Sequence, residues 1–170
     1  MQRSRIRLIA VLLGAVLCAA GIAGAADAPT PARPIASPED FKLSDYAGKV
    51  LIVDFWASWC KPCGESLPWL SGLAATHGKE GLAVIAVNVD EDLAKGAKLM
   101  KGLDPAIVVV HDPEGKLATQ YELQGMPSAF VYDRTGKLRA SHVGFLPAEA
   151  DAKKQEIVQL LAEKGGDDAH

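Results

Sequence analysis

Two continuous apolar runs dominate the hydrophobic pattern of the chain. Residues 50–56 and 81–89 are apolar and rich in β-branched side chains over nearly their whole length, which predicts strands buried on both faces. Between them, apolar positions recur at helical spacing over residues 61–77. A strand, a helix and a second strand in this order predict a βαβ unit with parallel strands.

Shorter elements are predicted after this unit, in the order helix 91–101, strand 106–110, helix 116–122, strand 129–132, strand 137–143 and helix 147–164. The two late strands are separated by the turn sequence Asp133-Arg134-Thr135-Gly136, which is typical of an antiparallel hairpin. A leading parallel unit, a late hairpin and a closing helix indicate an α/β fold: a mixed central sheet with helices on both faces.

Residues 1–26 are typical of a targeting segment. Three arginines precede the apolar stretch 8–17, and Ala23 and Ala25 are small residues at the positions that a signal peptidase reads. Cleavage before Ala26 or Asp27 is therefore the favoured interpretation. The uncharged stretch 8–26 is also long enough for an uncleaved membrane anchor, and Cys18 leaves a lipoprotein as a third alternative.

The rest of the chain is interpreted as an Ala/Pro-rich linker (27–38), one compact domain (39–164) and a flexible tail (165–170). Loss of residues 1–26 removes three arginines and no acidic residue, so the formal net charge changes from -3 to -6. This acidic balance argues against nucleic acid as a partner. If Cys18 is removed too, the exported domain keeps two cysteines, fewer than a structural disulfide framework normally uses.

The two remaining cysteines, Cys60 and Cys63, lie where the first predicted strand ends and the first predicted helix begins. The first N–H groups of a helix are unpaired and its dipole is positive there, so a thiolate is stabilised. The thiolate is the reactive form of cysteine, and this position therefore makes Cys60 a nucleophile near neutral pH.

Two stretches of the chain resemble the thioredoxin superfamily. Residues 53–63 are similar to its active-site segment, and Gly125-Met126-Pro127-Ser128 resembles its cis-proline loop. Cys60 and Pro127 are 67 residues apart, which is more than in a plain thioredoxin. In this extra length the chain resembles the TlpA-like reductases, or redoxins. The resemblance implies a thioredoxin fold with a helix–strand insertion. It also implies a cis Pro127 that presents the Met126 backbone to an extended substrate segment.

The same resemblance implies an exported, periplasmic thiol–disulfide reductase without a cofactor. Its partners would be disulfide-bearing exported proteins and a membrane carrier that supplies reducing thiols, and cytochrome c maturation is a typical role of the group. Cys60 is expected to attack a target disulfide and Cys63 to resolve the mixed disulfide. Lys61 and Pro62 are expected to tune the redox couple, and Trp59 to offer apolar area to the partner.

The acid–base residues depart from the TlpA-like pattern. Ser66 stands where these reductases usually have a glutamate, while Asp54 matches the aspartate of thioredoxins and Ala86 the lysine that partners it there. Asp54 is expected to be partly buried behind the disulfide, with a raised pKa, and to exchange a proton with Cys63 through water. The alternative is an aspartate at a strand edge that faces water.

Other functions compete with this interpretation. A disulfide-donating oxidant uses the same pair of cysteines, and a peroxiredoxin-like peroxidase normally needs a proline and a Thr or Ser at the positions of Val53 and Ala57. A copper chaperone would combine the cysteines with a distant histidine such as His142. A zinc site needs a second pair of ligands, and the histidines show no paired spacing, so no metal is expected.

Overall fold

The computed structural model describes residues 35–163. The predicted targeting segment, most of the predicted linker and the predicted tail lie outside the described residues. Within residues 35–163, no helix combines the length and the apolar character that crossing a membrane requires.

Six strands form one mixed sheet: β1 (Ile35–Ala36), β2 (Val50–Trp56), β3 (Leu82–Asn88), β4 (Val108–His111), β5 (Ser128–Tyr132) and β6 (Leu138–Val143). Their order across the sheet is β1-β4-β3-β2-β5-β6. The first four pair in parallel, whereas β5 is antiparallel to both β2 and β6. The predicted βαβ unit and the predicted hairpin are thus both present, and β2 lies in the middle of the sheet.

Helices cover both faces, as predicted: α1 (Cys63–His77), α2 (Ala97–Met100), α3 (Lys116–Gln120) and α4 (Ala150–Ala162). On one face, Leu67 of α1 and Ile157 of α4 join an apolar cluster with Ile52 of β2. On the other face, Leu117 of α3 packs in a second cluster with Phe55 of β2. Because successive residues of β2 alternate between the two faces, and both faces are covered, every residue of this strand is buried.

The segment predicted as helix 91–101 is the largest departure from the sequence pattern. It forms a 3₁₀ turn (Leu93–Gly96) and the single-turn helix α2. Gly96 lies against the buried Trp56 ring, and a Cβ at this position would lie 2.7 Å from Trp56 Cη2. The close contact with Trp56 leaves room only for glycine at the junction between the 3₁₀ turn and α2. Glycine is a weak helix former, so the helix is interrupted there.

Two smaller differences concern element boundaries. The helix predicted to begin at Lys61 begins at Cys63, because Pro62 occupies the N-cap position. Strand β1 falls within the last residues of the predicted linker, where Ile35 and Ala36 pair with Val109 and Val110 of β4. The predicted insertion is represented by α2 and β4, which lie between β3 and α3.

Candidate active site

Cys60 and Cys63 form a disulfide at the junction of β2 and α1, with their Cα atoms 5.3 Å apart. Cys63 is the first residue of α1, and its N–H donates to the Cys60 carbonyl at 3.1 Å. Cys60 is 6% exposed and Cys63 is fully buried. The geometry therefore places Cys60, the more exposed of the two cysteines, just before a helix of 15 residues, where the unpaired N–H groups stabilise a thiolate after reduction.

The loop that carries Cys60 is held by Asp90, a residue that no sequence motif indicated. The Asp90 carboxylate accepts hydrogen bonds from the Ser58 backbone N–H and hydroxyl, and from the Asn88 amide at 2.8 Å. Asn88 ends β3 directly opposite Trp56 at the end of β2. The sequence offers one partial signal, because Asp90 is the polar residue that directly follows the second apolar run, but this position alone does not indicate a contact with Ser58.

An open groove of about 590 Å³ runs beside Cys60 and is lined by Trp59, Lys61, Pro62, Leu123 and Met126, among others. The Trp59 side chain is 67% exposed. The structure therefore brings the CxxC segment and the Met126 loop to the same surface, as the resemblance implied.

The peptide bond between Met126 and Pro127 is cis, as predicted. Among the described residues, no hydrogen bond occupies the Met126 backbone N–H or C=O. A backbone segment with free polar groups beside a reactive cysteine can pair with an extended peptide.

Asp54 is 1% exposed, so the alternative of a strand-edge aspartate that faces water is wrong. Its Oδ2 atom has no hydrogen-bond partner among the described residues. Burial alone raises the pKa of the Asp54 carboxyl well above its ordinary value. Ala86 is its direct partner on β3, so the neighbouring strand provides no cation at this level of the sheet.

A small cavity of about 20 Å³ adjoins Asp54, Ser66 and Pro127. Ser66 lies one helical turn after Cys63 on α1, and its hydroxyl donates to the Cys63 carbonyl at 3.4 Å. The cavity is large enough for about one water molecule, and the Asp54 carboxyl supplies a polar partner for it. Asp54, Ser66 and the cis proline therefore line one small cavity, and Ser66 connects it to the first turn of α1, which begins at Cys63.

The remaining predicted residues are Lys61 and Pro62 between the cysteines, and His142. Lys61 is exposed between the cysteines and Pro62 is half-buried. His142, the residue considered for a copper site, contacts Glu156 through Nε2 at 3.1 Å. Among residues 35–163, no group of three or more His, Cys, Asp or Glu side chains has the geometry to hold a metal ion.

Residues 25–159 match the Redoxin family model. The chain belongs to the redoxin family. It is 28% identical over 120 residues to the thiol-disulfide oxidoreductase ResA of Geobacillus kaustophilus, covering 71% of this chain and 69% of the relative. It is 27% identical over 117 residues to ResA of Bacillus subtilis, covering 69% of this chain and 65% of the relative.

Solved structures agree with this assignment. A crystal structure of a protein assigned as the thiol:disulfide interchange protein DsbE of Chlorobium tepidum superposes with a TM-score of 0.67 at 40% identity, covering 72% of this chain and 86% of that one. The exposed lipoprotein thioredoxin Etrx1 of Streptococcus pneumoniae gives a TM-score of 0.58 at 35% identity, with 70% and 90% covered. The predicted thioredoxin fold and TlpA-like relationship are confirmed, and this redoxin is a thiol–disulfide oxidoreductase with Cys60 and Cys63 as its redox pair.

Proposed function

We propose that this redoxin reduces disulfides in exported proteins and that it recognises them as extended segments. The observation that carries the proposal is the open groove that joins Cys60 to the unpaired Met126 backbone. An extended segment beside Met126 would add as a short strand, so its backbone would be recognised without a strict sequence requirement. Trp59 would cover the apolar side chains that flank the target disulfide.

The reduction consists of two exchange steps. The Cys60 thiolate attacks one sulfur of the target disulfide, so that a Cys60–target bond forms and the first target thiolate leaves. Cys63 then loses its proton and attacks the Cys60 sulfur, which forms the Cys60–Cys63 bond and releases the second target thiolate. The leaving thiolates take up protons, and two electrons pass from the dithiol to the target disulfide.

Asp54 is proposed to accept the proton that Cys63 loses. Its raised pKa supports this role, because a carboxylate whose pKa is raised by burial is a stronger base than an ordinary one. The cavity between Asp54 and Ser66 would hold the water through which the proton moves. Lys61 and Pro62 would tune the potential of the couple by adding positive charge beside the thiolate and by restraining the turn.

The predicted targeting segment supports the cellular setting of this proposal. Export to the periplasm would place the enzyme among disulfide-bearing proteins, where a membrane-bound dithiol carrier would reduce the Cys60–Cys63 bond again. The proposed substrate is the disulfide between the two haem-attachment cysteines of an apocytochrome c. This substrate, like the direction of the reaction, is carried over from the TlpA-like group.

A peptide assay tests the proposal. The reduced protein is mixed with an oxidised C-x-x-C-H peptide, and thiol release is followed by mass spectrometry. We expect stoichiometric reduction by the native protein and a trapped Cys60–peptide disulfide with the Cys63→Ser variant. Equilibration with dithiothreitol gives the potential, for which the proposal expects a value near ~-270 mV, at the reducing end of related couples. A value near ~-120 mV would contradict the proposal and favour a disulfide donor, and failure to trap the peptide would contradict the proposal without favouring a donor.

A further inference from the structure

Asp54 and His142 lie in one row across the sheet. Asp54 of β2 pairs directly with Ala129 of β5, and Ala129 pairs directly with His142 of β6. Directly paired residues point to the same face of a sheet, and neighbouring strands are about 4.8 Å apart. The backbones of Asp54 and His142 are therefore about 10 Å apart, and the residue between them, Ala129, has only a methyl side chain.

The space above Ala129 is the cavity that adjoins Asp54. Its lining includes Asp54 at one end, His142 at the other, and Ala129 between them. Ser66 and Trp69 of α1 cover it, and Ile157 of α4 closes it. At about 20 Å³ it can hold about one water molecule, which would bridge the buried carboxyl and the histidine ring.

The outer end of the cavity reaches solvent at His142, whose side chain is 27% exposed. Its Nε2 contacts Glu156 Oε2 at 3.1 Å, and no hydrogen bond of the described residues occupies its Nδ1. The other charged group at the cavity wall is Lys153 of α4, whose Nζ lies 3.4 Å from Glu149. The row therefore begins at a buried acid and ends at an imidazole that touches a solvent-accessible carboxylate.

We infer that the proton exchanged by Asp54 travels between the protein interior and solvent through the cavity water and His142. A proton taken from Asp54 by the water would be accepted at His142 Nδ1, while the Nε2 proton passes to Glu156 and then to solvent. One proton leaves for each that Cys63 gives up, and no electrons move on this route. His142 is thus a positioning residue, since it acts on the sulfur chemistry only through Asp54. This inference rests on the proposed role of Asp54.

The test measures the single-turnover rate at which the reduced protein converts the oxidised C-x-x-C-H peptide into the released dithiol peptide, at pH 7 in dilute buffer. We expect His142→Ala to slow this rate about tenfold, less than the ~10²–10⁴-fold of direct general acid–base catalysis, because structural fluctuations still admit water. Added imidazole should restore the rate. Ala129→Val, which fills the cavity, should slow the reaction without rescue. His77→Ala is the matched control, because His77 also pairs with a glutamate, Glu80, and does not line the cavity.

Asp54→Asn in the same assay separates the two proposals. Slow turnover in Asp54→Asn, with no further loss in the Asp54→Asn/His142→Ala double variant, supports one shared route. Slow turnover in Asp54→Asn with native rates in both His142→Ala and Ala129→Val overturns the route and leaves the role of Asp54 standing. A native rate in Asp54→Asn overturns both. A His142→Ala defect that imidazole does not rescue and that adds to the Asp54→Asn defect also overturns the route.

Discussion

The carboxylate of Asp90 accepts hydrogen bonds of 2.9–3.1 Å from the backbone N–H and the hydroxyl of Ser58, which lies two residues before Cys60. Asp90 follows β3, so these bonds tie the loop of the reactive cysteine to the neighbouring strand. The Asp90 carbonyl contacts His111 Nε2 at 2.8 Å, which extends the connection to the end of β4. Three parallel strands thus fix the position of one short loop.

Substitution of Asp90 tests the strength of this connection. Asp90→Ala would leave the Ser58 and Asn88 donors without their acceptor in a largely buried site, so we expect a loss of about 3 kcal/mol in the free energy of unfolding. Urea denaturation of the oxidised protein measures it. The exposed neighbour Glu91 provides the control, since Glu91→Ala should change stability by less than about 0.5 kcal/mol. Equal effects of the two substitutions would show that Asp90 does not anchor the loop.

Substitution of glycine by alanine is expected to change the stability of the protein in opposite directions at Gly96 and Gly72. A Cβ at Gly96 would lie 2.7 Å from the buried Trp56 ring, so Gly96→Ala should destabilise the protein by about 1–3 kcal/mol. Gly72 is exposed inside α1, and a Cβ added there would meet no atom within 4 Å, so Gly72→Ala should stabilise the protein by about 0.5–1 kcal/mol. Thermal unfolding of both variants checks this prediction, which fails if both changes have the same sign.

The raised pKa of Asp54 predicts a pH-dependent stability. Above about pH 3.8 the unfolded chain releases the Asp54 proton while the folded protein keeps it, so stability falls as pH rises towards the folded pKa. The slope is about 1.4 kcal/mol for each pH unit in that window. Asp54→Asn removes this loss, and its stability relative to the native protein should therefore increase from pH 4 to pH 7. Urea denaturation at several pH values, on the oxidised forms, measures the difference. A pH-independent difference would contradict the prediction.

Because Trp59 is exposed, its substitution is expected to weaken substrate binding without changing the stability of the protein. Trp59→Ala should leave the free energy of unfolding nearly unchanged, because the ring is mostly in water. Loss of an aromatic contact should slow the reduction of a peptide disulfide about tenfold, while the reduction of a small linear disulfide such as bis(2-hydroxyethyl) disulfide stays at the native rate. Val158→Ala, at an exposed position of α4, is the control for both substrates. Equal slowing for both substrates would place Trp59 in the sulfur chemistry itself.

The central strands and the redox pair could be predicted from the sequence because their signals are local. The runs that became β2 and β3 are apolar over consecutive positions, and Cys60 and Cys63 stand at a strand–helix junction that the pattern itself marks. The buried position of Asp54 was also expected, since the residue lies inside an apolar run.

The features that were missed depend on register between distant strands. Asp90 meets Ser58 only because Asn88 pairs with Trp56, and His142 shares a cavity with Asp54 only because Ala129 pairs with both. No local pattern encodes such a meeting. The shortened helix α2 was missed for a similar reason. Gly96 packs on the distant residue Trp56, and the periodicity of the segment does not show this contact.

Strand β2 has hydrogen-bonded neighbours on both sides, whereas β1 and β6 lie at the two margins of the sheet. In native-state hydrogen exchange, the amides of such an interior strand exchange only when the whole domain unfolds. The amides of edge strands exchange through smaller and more frequent local openings. The element that leads into the redox pair is therefore insulated from fraying at the margins. Local opening of the outer strands would therefore leave in place the strand that leads to the two sulfurs.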